Sequence, residues 1–99
     1  MLGVKVQIVR YADDSQRGWV ECHLTDTHGR RWSFVEKVPV VTTAALDASS
    51  VYPQPGVIAC EMVGRASGVV RIDTTRPWAV ESVEGETQFD VPEGSLVEW

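Results

Sequence analysis

Residues 19–38 read WVECHLTDTHGRRWSFVEKV, and this stretch decides the fold class. Apolar and polar residues alternate over residues 19–25 and again over residues 31–38. Alternation with a period of two is typical of β-strands that are buried on one face. Between the two runs, residues 26–29 are turn formers, and Gly29 can adopt the positive φ that hairpin loops require. The stretch therefore predicts an antiparallel β-hairpin.

The same alternation extends outward from the hairpin in both directions. The predicted strands outside it cover residues 2–9, 57–64, 69–75, 78–83 and 87–91. The rhythm breaks over residues 42–48, which predict one or two helical turns with Thr42 or Thr43 as the N-cap. We therefore expect an all-β fold with one short helix, either a small antiparallel barrel of six or seven strands or a compact β-sandwich. Because 99 residues suit one domain, residues 1–99 are expected to form a single β domain.

The alternate residues that are expected to point inward from these strands form the predicted core. It comprises Val4, Val6, Ile8, Val20, Cys22, Leu24, Trp32, Phe34, Ile58, Cys60, Met62, Val70, Ile72, Trp78, Val80 and Phe89. At about 1.5–3 kcal/mol for each large side chain buried, such a core can offset the ordering entropy without a metal or a disulfide. The two cysteines belong to this set, so we expect buried, reduced thiols.

Composition excludes several classes of partner. The chain carries 9 Lys+Arg against 14 Asp+Glu, a formal net charge of −5. This balance disfavours a cationic nucleic-acid binder and a polybasic membrane-surface protein, because both need a surplus of Lys and Arg. The alternating N-terminal residues do not form a signal-peptide core, and no apolar run is long enough for a transmembrane helix. We therefore expect a cytoplasmic protein with no membrane partner.

The negative charge is concentrated in the second half of the chain. Residues 1–50 hold six basic and six acidic side chains, whereas residues 51–99 hold three basic and eight acidic ones. A surface that carries only negative charge can steer association with a cationic partner. Aromatic side chains on the outward face of a strand are typical of interface hot spots. The interaction candidates are therefore Trp19, Glu81, Glu84, Glu86, Asp90 and Trp99.

No arrangement of residues in the chain points to catalysis. Cys22 and His23 are neighbours on a predicted strand, so their side chains point to opposite faces. The potential metal ligands Cys22, His23, His28 and Cys60 lack the paired short spacings of zinc sites. There is no nucleophile elbow and no glycine-rich phosphate loop. We expect no catalytic residue, no metal and no cofactor, and an enzyme is the least favoured class.

These observations favour a non-enzymatic protein-interaction module. Its partner would be a protein with a basic surface or a second copy of the chain in a homodimer, and an inhibitor or immunity-type protein for a basic enzyme is one instance. The alternative has the element order of an oligonucleotide-binding (OB) barrel and binds a small ligand or single-stranded nucleic acid through Trp19 and basic residues of the first half. Those basic residues are Lys5, Arg10, Arg17, Arg30, Arg31 and Lys37. The overall charge makes nucleic acid the less favoured partner.

Overall fold

The computed structural model describes residues 1–12 and 18–98. In these residues the chain is all-β with one short helix, as predicted, and its strands form two antiparallel sheets. In chain order the elements are β1 (Leu2–Tyr11), β2 (Trp19–Thr25), β3 (Arg31–Lys37), α1 (Val38–Val41), β4 (Gln54–Ala59), β5 (Glu61–Ala66), β6 (Val69–Asp73), β7 (Gln88–Pro92) and β8 (Leu96–Glu98). A single 3₁₀ turn, Glu93–Ser95, separates the last two strands.

The larger sheet has the strand order β3-β2-β1-β4, and β8 also pairs with β1. The hairpin predicted from residues 19–38 is confirmed: β2 and β3 pair in register from Trp19 with Lys37 to Thr25 with Arg31. Gly29 has a φ of +80° in the connecting turn, as the sequence predicts. The alternation of buried and exposed residues along β2 follows directly from this register.

The smaller sheet has the order β5-β6-β7. Within the described residues no strand pairing joins the two sheets, so the fold is a sandwich and the barrel does not close. The single strand predicted over residues 57–64 is wrong, because the chain turns at Cys60 and passes from one sheet to the other. The apolar pattern continues through this corner, which is why the sequence shows no break. As a result Met62, predicted to be inward, is 49% exposed.

The core lies between the sheets and contains most of the predicted inward positions. Phe34, Ile8, Ile58, Ile72 and Val20 are among its fully buried side chains. The Phe89 ring makes edge-to-face contacts with two aromatic rings of β3, with centroids 5.3 Å from Trp32 and 5.6 Å from Phe34. Trp78 is the second predicted core residue that lies outside the core, because residues 78–83 form an irregular loop rather than a strand.

The helix lies earlier in the chain than the sequence predicts. It covers Val38–Val41, and Pro39 stands in its first turn, where the missing N–H of proline costs nothing. Thr42, expected to be an N-cap, is instead the C-cap, with an extended backbone at φ −160°. Its Oγ1 accepts a hydrogen bond from the Ala44 amide at 3.1 Å, which favours a turn over further helix. No helix of the described residues is both long and apolar enough to cross a membrane.

Candidate functional site

A loop over residues 74–87 connects β6 to β7 and is held by the hydroxyls of two buried residues, Thr74 and Ser82. The Thr74 side chain is fully buried, and its Oγ1 donates a hydrogen bond to the Val80 carbonyl at 2.7 Å. The Val80 amide donates to the Thr74 carbonyl at 3.0 Å. Further along, the Val83 amide donates to the Ser33 carbonyl of β3 at 2.9 Å. The loop therefore bridges the two sheets and occupies part of the outer edge of β3.

These hydrogen bonds direct Trp78 toward solvent. Val80 is buried, whereas Trp78, two residues earlier, is 53% exposed. Ala79 between them has a φ of +54°, a left-handed conformation that costs an L-residue about 1–2 kcal/mol. Such a conformation persists only where surrounding contacts enforce it, and here the Ala79 amide donates to the Thr75 carbonyl at 2.7 Å. The loop thus holds the indole outward at the expense of backbone strain.

Trp78 borders a cavity of about 240 Å³ with a mostly apolar lining. Residues of α1, the segment after it and the start of the chain form the other walls. We call this site the Trp78 surface; its residues are Met1, Pro39, Val40, Thr42, Thr43 and Trp78. Cavities that hold small molecules usually measure about 300–1,000 Å³. The size of this cavity therefore suits one side chain inserted by a partner better than a cofactor.

Two carboxylates adjoin the segments that form the Trp78 surface. Glu36 stands shortly before α1, and Glu81 follows Trp78 in the loop. Burial and the neighbouring Glu81 carboxylate raise the pKa of Glu36 above its ordinary value. In residues 1–12 and 18–98 no cationic side chain forms an ion pair with either carboxylate. The pair is therefore a site of unrelieved negative charge.

Two of the predicted acidic candidates are neutralised within the protein. Glu84 accepts a hydrogen bond from Arg30 Nη2 at 2.7 Å. Asp90 accepts two parallel hydrogen bonds from Arg71, at 2.8 Å from Nε and 3.0 Å from Nη2. The Arg71 guanidinium is the main reason that the pKa of Asp90 lies below its ordinary value. The acidic second half of the chain is therefore less uniform in space than in sequence.

The remaining candidates lie in three different places. Glu86 is exposed, and its Oε1 accepts hydrogen bonds from the amides of Thr87 and Gln88, each at 3.3 Å. Trp19 is partly buried on β2, with Lys37 Nζ at 5.9 Å from its ring centroid. Trp99 lies outside the described residues. Glu81 thus lies three residues after Trp78 in the same loop, and Trp19 lies on a separate face.

That separate face is the outer side of the five-stranded sheet. Because Val20, Cys22 and Leu24 point into the core, the alternate residues of β2 point outward, together with their partners on β1 and β3. Four cations share this side, and we call it the basic face: Lys5, Arg10, Arg31 and Lys37. Arg30, from the same predicted set, instead stacks on Trp32 with its guanidinium carbon 3.8 Å from the ring centroid. Arg17 lies outside the described residues.

The two thiols are unsuited to nucleophilic chemistry at neutral pH. Cys22 and Cys60 are buried and unpaired. Burial raises the pKa of Cys22 to about 12 and that of Cys60 to about 11, so both remain protonated. His23 points to the other face of β2, where its Nε2 lies 2.7 Å from a Glu21 carboxylate oxygen. In the described part of the chain no group of three or more His, Cys, Asp or Glu side chains could hold a metal ion.

β5 carries a second exposed apolar stretch. Met62 and Val63 are 49% and 53% exposed on this edge strand of the smaller sheet. Glu61 and Arg65 flank them, and the register with β6 shifts between Met62 and Gly64. Charged side chains and a bulge are the usual means by which an edge strand avoids pairing with another molecule. We therefore treat this stretch as a protected edge.

The comparisons with known proteins add nothing to this geometry. No protein-family model, no curated protein and no solved structure matches the chain. The site therefore rests on the described residues alone. Sequence reasoning missed Trp78 and Glu36 as site residues. The one available signal was the proline before Trp78, because Pro77 interrupts a strand and makes an outward turn more plausible than a buried position.

Proposed function

We propose that this protein is a non-enzymatic interaction module that binds a cationic segment of a partner protein at the Trp78 surface. The observation that carries the proposal is a half-exposed indole beside an apolar cavity, held in a strained loop that also carries Glu81, whose unneutralised carboxylate repels Glu36. A toxin-neutralising or other inhibitor of a basic enzyme would be one instance. We place the protein in the cytoplasm, where its two buried thiols would remain reduced.

The indole supplies the affinity in this proposal. Tryptophan is enriched among hot-spot residues because it buries a large apolar area and loses little conformational entropy on binding. The loop already holds Trp78 in place when the protein folds, so binding a partner should cost little further conformational entropy at this residue. A cavity of about 240 Å³ beside it can receive one aliphatic or aromatic side chain of the partner.

The carboxylates supply the preference for a cationic partner. Glu36 and Glu81 repel one another, and burial makes the ionised form of Glu36 still less favourable. A Lys or Arg side chain seated near them would relieve the repulsion, and its charge could also lie over the indole in a cation–π contact. A carboxylate of the partner at the same place would add a third negative charge, which provides discrimination against acidic surfaces.

The test compares two half-exposed apolar residues. Wild type, Trp78→Ala and Met62→Ala serve as baits in native lysate, and each captured protein is then expressed and titrated by calorimetry. We expect a partner that binds wild type and Met62→Ala alike, and that binds Trp78→Ala at least about 30-fold more weakly, equal to about 2 kcal/mol. Glu81→Lys should reduce the affinity for the same partner, and a Lys→Glu change on the partner should restore part of that affinity.

Two results would overturn the proposal. A partner whose affinity is unchanged by Trp78→Ala binds elsewhere, and loss of affinity in Met62→Ala alone would assign the interface to β5. Light scattering of the purified protein provides an independent check. Self-association that disappears in Trp78→Ala would identify a second copy of the chain, rather than a different protein, as the occupant of the Trp78 surface.

A further inference from the structure

The basic face carries cations that the protein itself leaves unpaired. Arg10 is neutralised, because its Nε donates a hydrogen bond to Glu21 at 2.7 Å. Lys5 reaches only the carbonyl oxygen of Gly94, at 3.4 Å. Arg31 and Lys37 form no ion pair with any residue in the described ranges. Three positive charges thus remain on one side of a protein whose formal net charge is −5.

These three cations are spread along the sheet. Thr25 pairs with Arg31 at one end of the β2–β3 ladder, and Trp19 pairs with Lys37 at the other. At about 3.3 Å for each residue of a strand, the two ends are separated by roughly 20 Å. An anion that meets both ends must be extended. A single phosphate or carboxylate group can satisfy only one of them.

Two shallow clefts meet in the middle of the basic face and share Lys5 and Gln7. One has a volume of about 520 Å³ and is mostly apolar; its other walls include Pro53, Pro55, Val57 and Val97. The second has a volume of about 360 Å³ and is mostly polar; it is lined also by His23, Thr25 and Arg31. This face therefore offers an apolar cleft next to a cationic one, which suits a ligand with both planar apolar groups and negative charges.

The open shape of both clefts favours a polymer over a small molecule. Ligand pockets for small molecules usually bury more than about 70% of the ligand surface, and a shallow groove on a sheet cannot do so. A polymer gains affinity by touching several such places at once. Single-stranded nucleic acid binds proteins in this manner, with its phosphates on cations and its bases stacked on aromatic side chains.

We propose that the basic face binds single-stranded nucleic acid. Phosphates contact Lys5, Arg31 and Lys37, one base stacks on the exposed part of the Trp19 ring, and another lies over the apolar cleft. Lys37 Nζ is 5.9 Å from the Trp19 ring centroid, so a base on this ring would have a cation beside its phosphate. Duplex DNA would bind less well, because its bases are stacked inside the helix and cannot reach Trp19.

This binding surface is distinct from the Trp78 surface. None of the residues that line the two clefts lines the cavity beside Trp78. Most of the acidic surplus lies in residues 81–93, outside the five-stranded sheet, and Glu98 of β8 forms an ion pair with the N-terminal amine. At physiological ionic strength charges farther apart than about 8 Å are largely screened, so the local surplus of cations decides the interaction.

The test is fluorescence anisotropy with a labelled oligothymidylate of about 12 nucleotides, a length within the usual site size. Three phosphate contacts predict that the logarithm of the association constant falls against the logarithm of salt concentration with a slope of about −2. Affinity should therefore fall about 20-fold between roughly 50 mM and 200 mM salt. Lys5→Ala or Arg31→Ala should each reduce this slope by about 0.7.

Trp19→Ala tests stacking separately from charge. It should weaken binding about tenfold without changing the salt slope, and Trp19→Phe should restore part of the loss. Arg76→Ala is the matched control, because it removes one exposed charge from the 74–87 loop and leaves the basic face intact. Trp78→Ala should also bind the oligonucleotide normally, which separates this inference from the proposed function.

Three outcomes would overturn the inference. Absence of binding at about 50 mM salt would do so, since low salt is the most favourable condition. Equal losses in Arg76→Ala and Arg31→Ala would show that only net charge matters. Displacement of the oligonucleotide by polyglutamate at equal charge concentration would assign the face to acidic peptides instead, because polyglutamate offers charge without bases.

Discussion

The Trp78 surface and the edge strand β5 expose apolar side chains to nearly the same degree, but their surroundings differ. Met62 and Val63 lie between Glu61 and Arg65 on a strand with a bulge. Both regions border a cavity, of about 240 Å³ at Trp78 and about 370 Å³ at Val63, but Trp78 lies in an irregular loop beside a residue with positive φ. Exposure alone therefore does not identify an interface. Protection of one region and strained, rigid presentation of the other distinguish them.

The two regions also differ in how the backbone is held. β5 is held by a ladder of backbone hydrogen bonds with β6, which one bulge interrupts between Met62 and Gly64. The Trp78 loop depends on the buried Thr74 hydroxyl and contains Ala79, a non-glycine residue with positive φ. Regular strands need no such devices, and strained residues are concentrated at functional sites. The difference supports binding at the loop and gives four ways to test the comparison.

Thr74→Val should have the largest effect. The change removes the hydroxyl that donates a hydrogen bond to the Val80 carbonyl, and it keeps the volume of the side chain nearly constant. A buried carbonyl left without this donor should destabilise the protein by about 1–3 kcal/mol, measured by urea unfolding. Hydrogen exchange should accelerate at the Val80 and Val83 amides while β5 amides are unaffected. Thr25→Val, at an exposed strand position, is the control, and equal stability of both variants would contradict the role of Thr74.

Removing the charges that protect β5 should make the two regions more alike. The double variant Glu61→Val/Arg65→Val loses both flanking charges and gains apolar contacts worth about 0.2–1 kcal/mol for each cross-strand pair. We expect self-association to strengthen by about 1–2 kcal/mol, or roughly five- to thirtyfold, in sedimentation velocity. If the double variant associates no more than wild type, the bulge alone protects this edge.

Ala79→Gly should stabilise the protein, because glycine adopts positive φ without the clash of a Cβ. The gain, less the greater chain entropy of glycine, should be up to about 1 kcal/mol in urea unfolding. Ala66→Gly on β5 is the matched change at a residue without positive φ, and it should destabilise by roughly 0.5–1 kcal/mol. Destabilisation by both changes would show that the Ala79 conformation is not strained.

Glu36→Gln should have the smallest effect and a definite sign. Because the pKa of Glu36 is raised in the folded protein, the native state binds this proton more tightly than the unfolded chain does. Wild-type stability should therefore rise as pH falls through the raised pKa of Glu36 toward its ordinary value, and the variant should lack this rise. The change should remain below about 1 kcal/mol. Glu81→Gln should remove part of the same component, and identical pH profiles for all three proteins would contradict the Glu36–Glu81 repulsion.

The sequence predicts the regular parts of the fold and fails at its corners. The alternation of residues 19–38 and the positive φ available to Gly29 together predict the β2–β3 hairpin. The sequence pattern does not show that the chain changes sheet at Cys60, because Ile58, Cys60 and Met62 continue the alternation of apolar residues. A period of two describes local geometry, and the sheet that a strand joins depends on contacts distant in sequence.

The candidate site was less predictable for the same reason. Glu81 could be proposed from its charge, but Glu36 lies on β3, distant in sequence, and approaches Glu81 only through the tertiary structure. The alternation also placed Trp78 inward, although a turn rather than a strand determines its direction. The cations of the basic face were identifiable from the sequence. Only the observed register of β2 with β3 shows that Arg30 does not belong to this group of cations.

The position of β1 has a consequence for the time that the chain needs to fold. β1 pairs with β2 nearby, but Gly3 also pairs with Ala59 on β4 and with Val97 on β8. A hairpin such as β2–β3 forms within about 1–10 μs, whereas β proteins dominated by distant pairings fold in milliseconds to seconds. Refolding should therefore be limited by β1, the first strand in the chain and the last to acquire all of its partners.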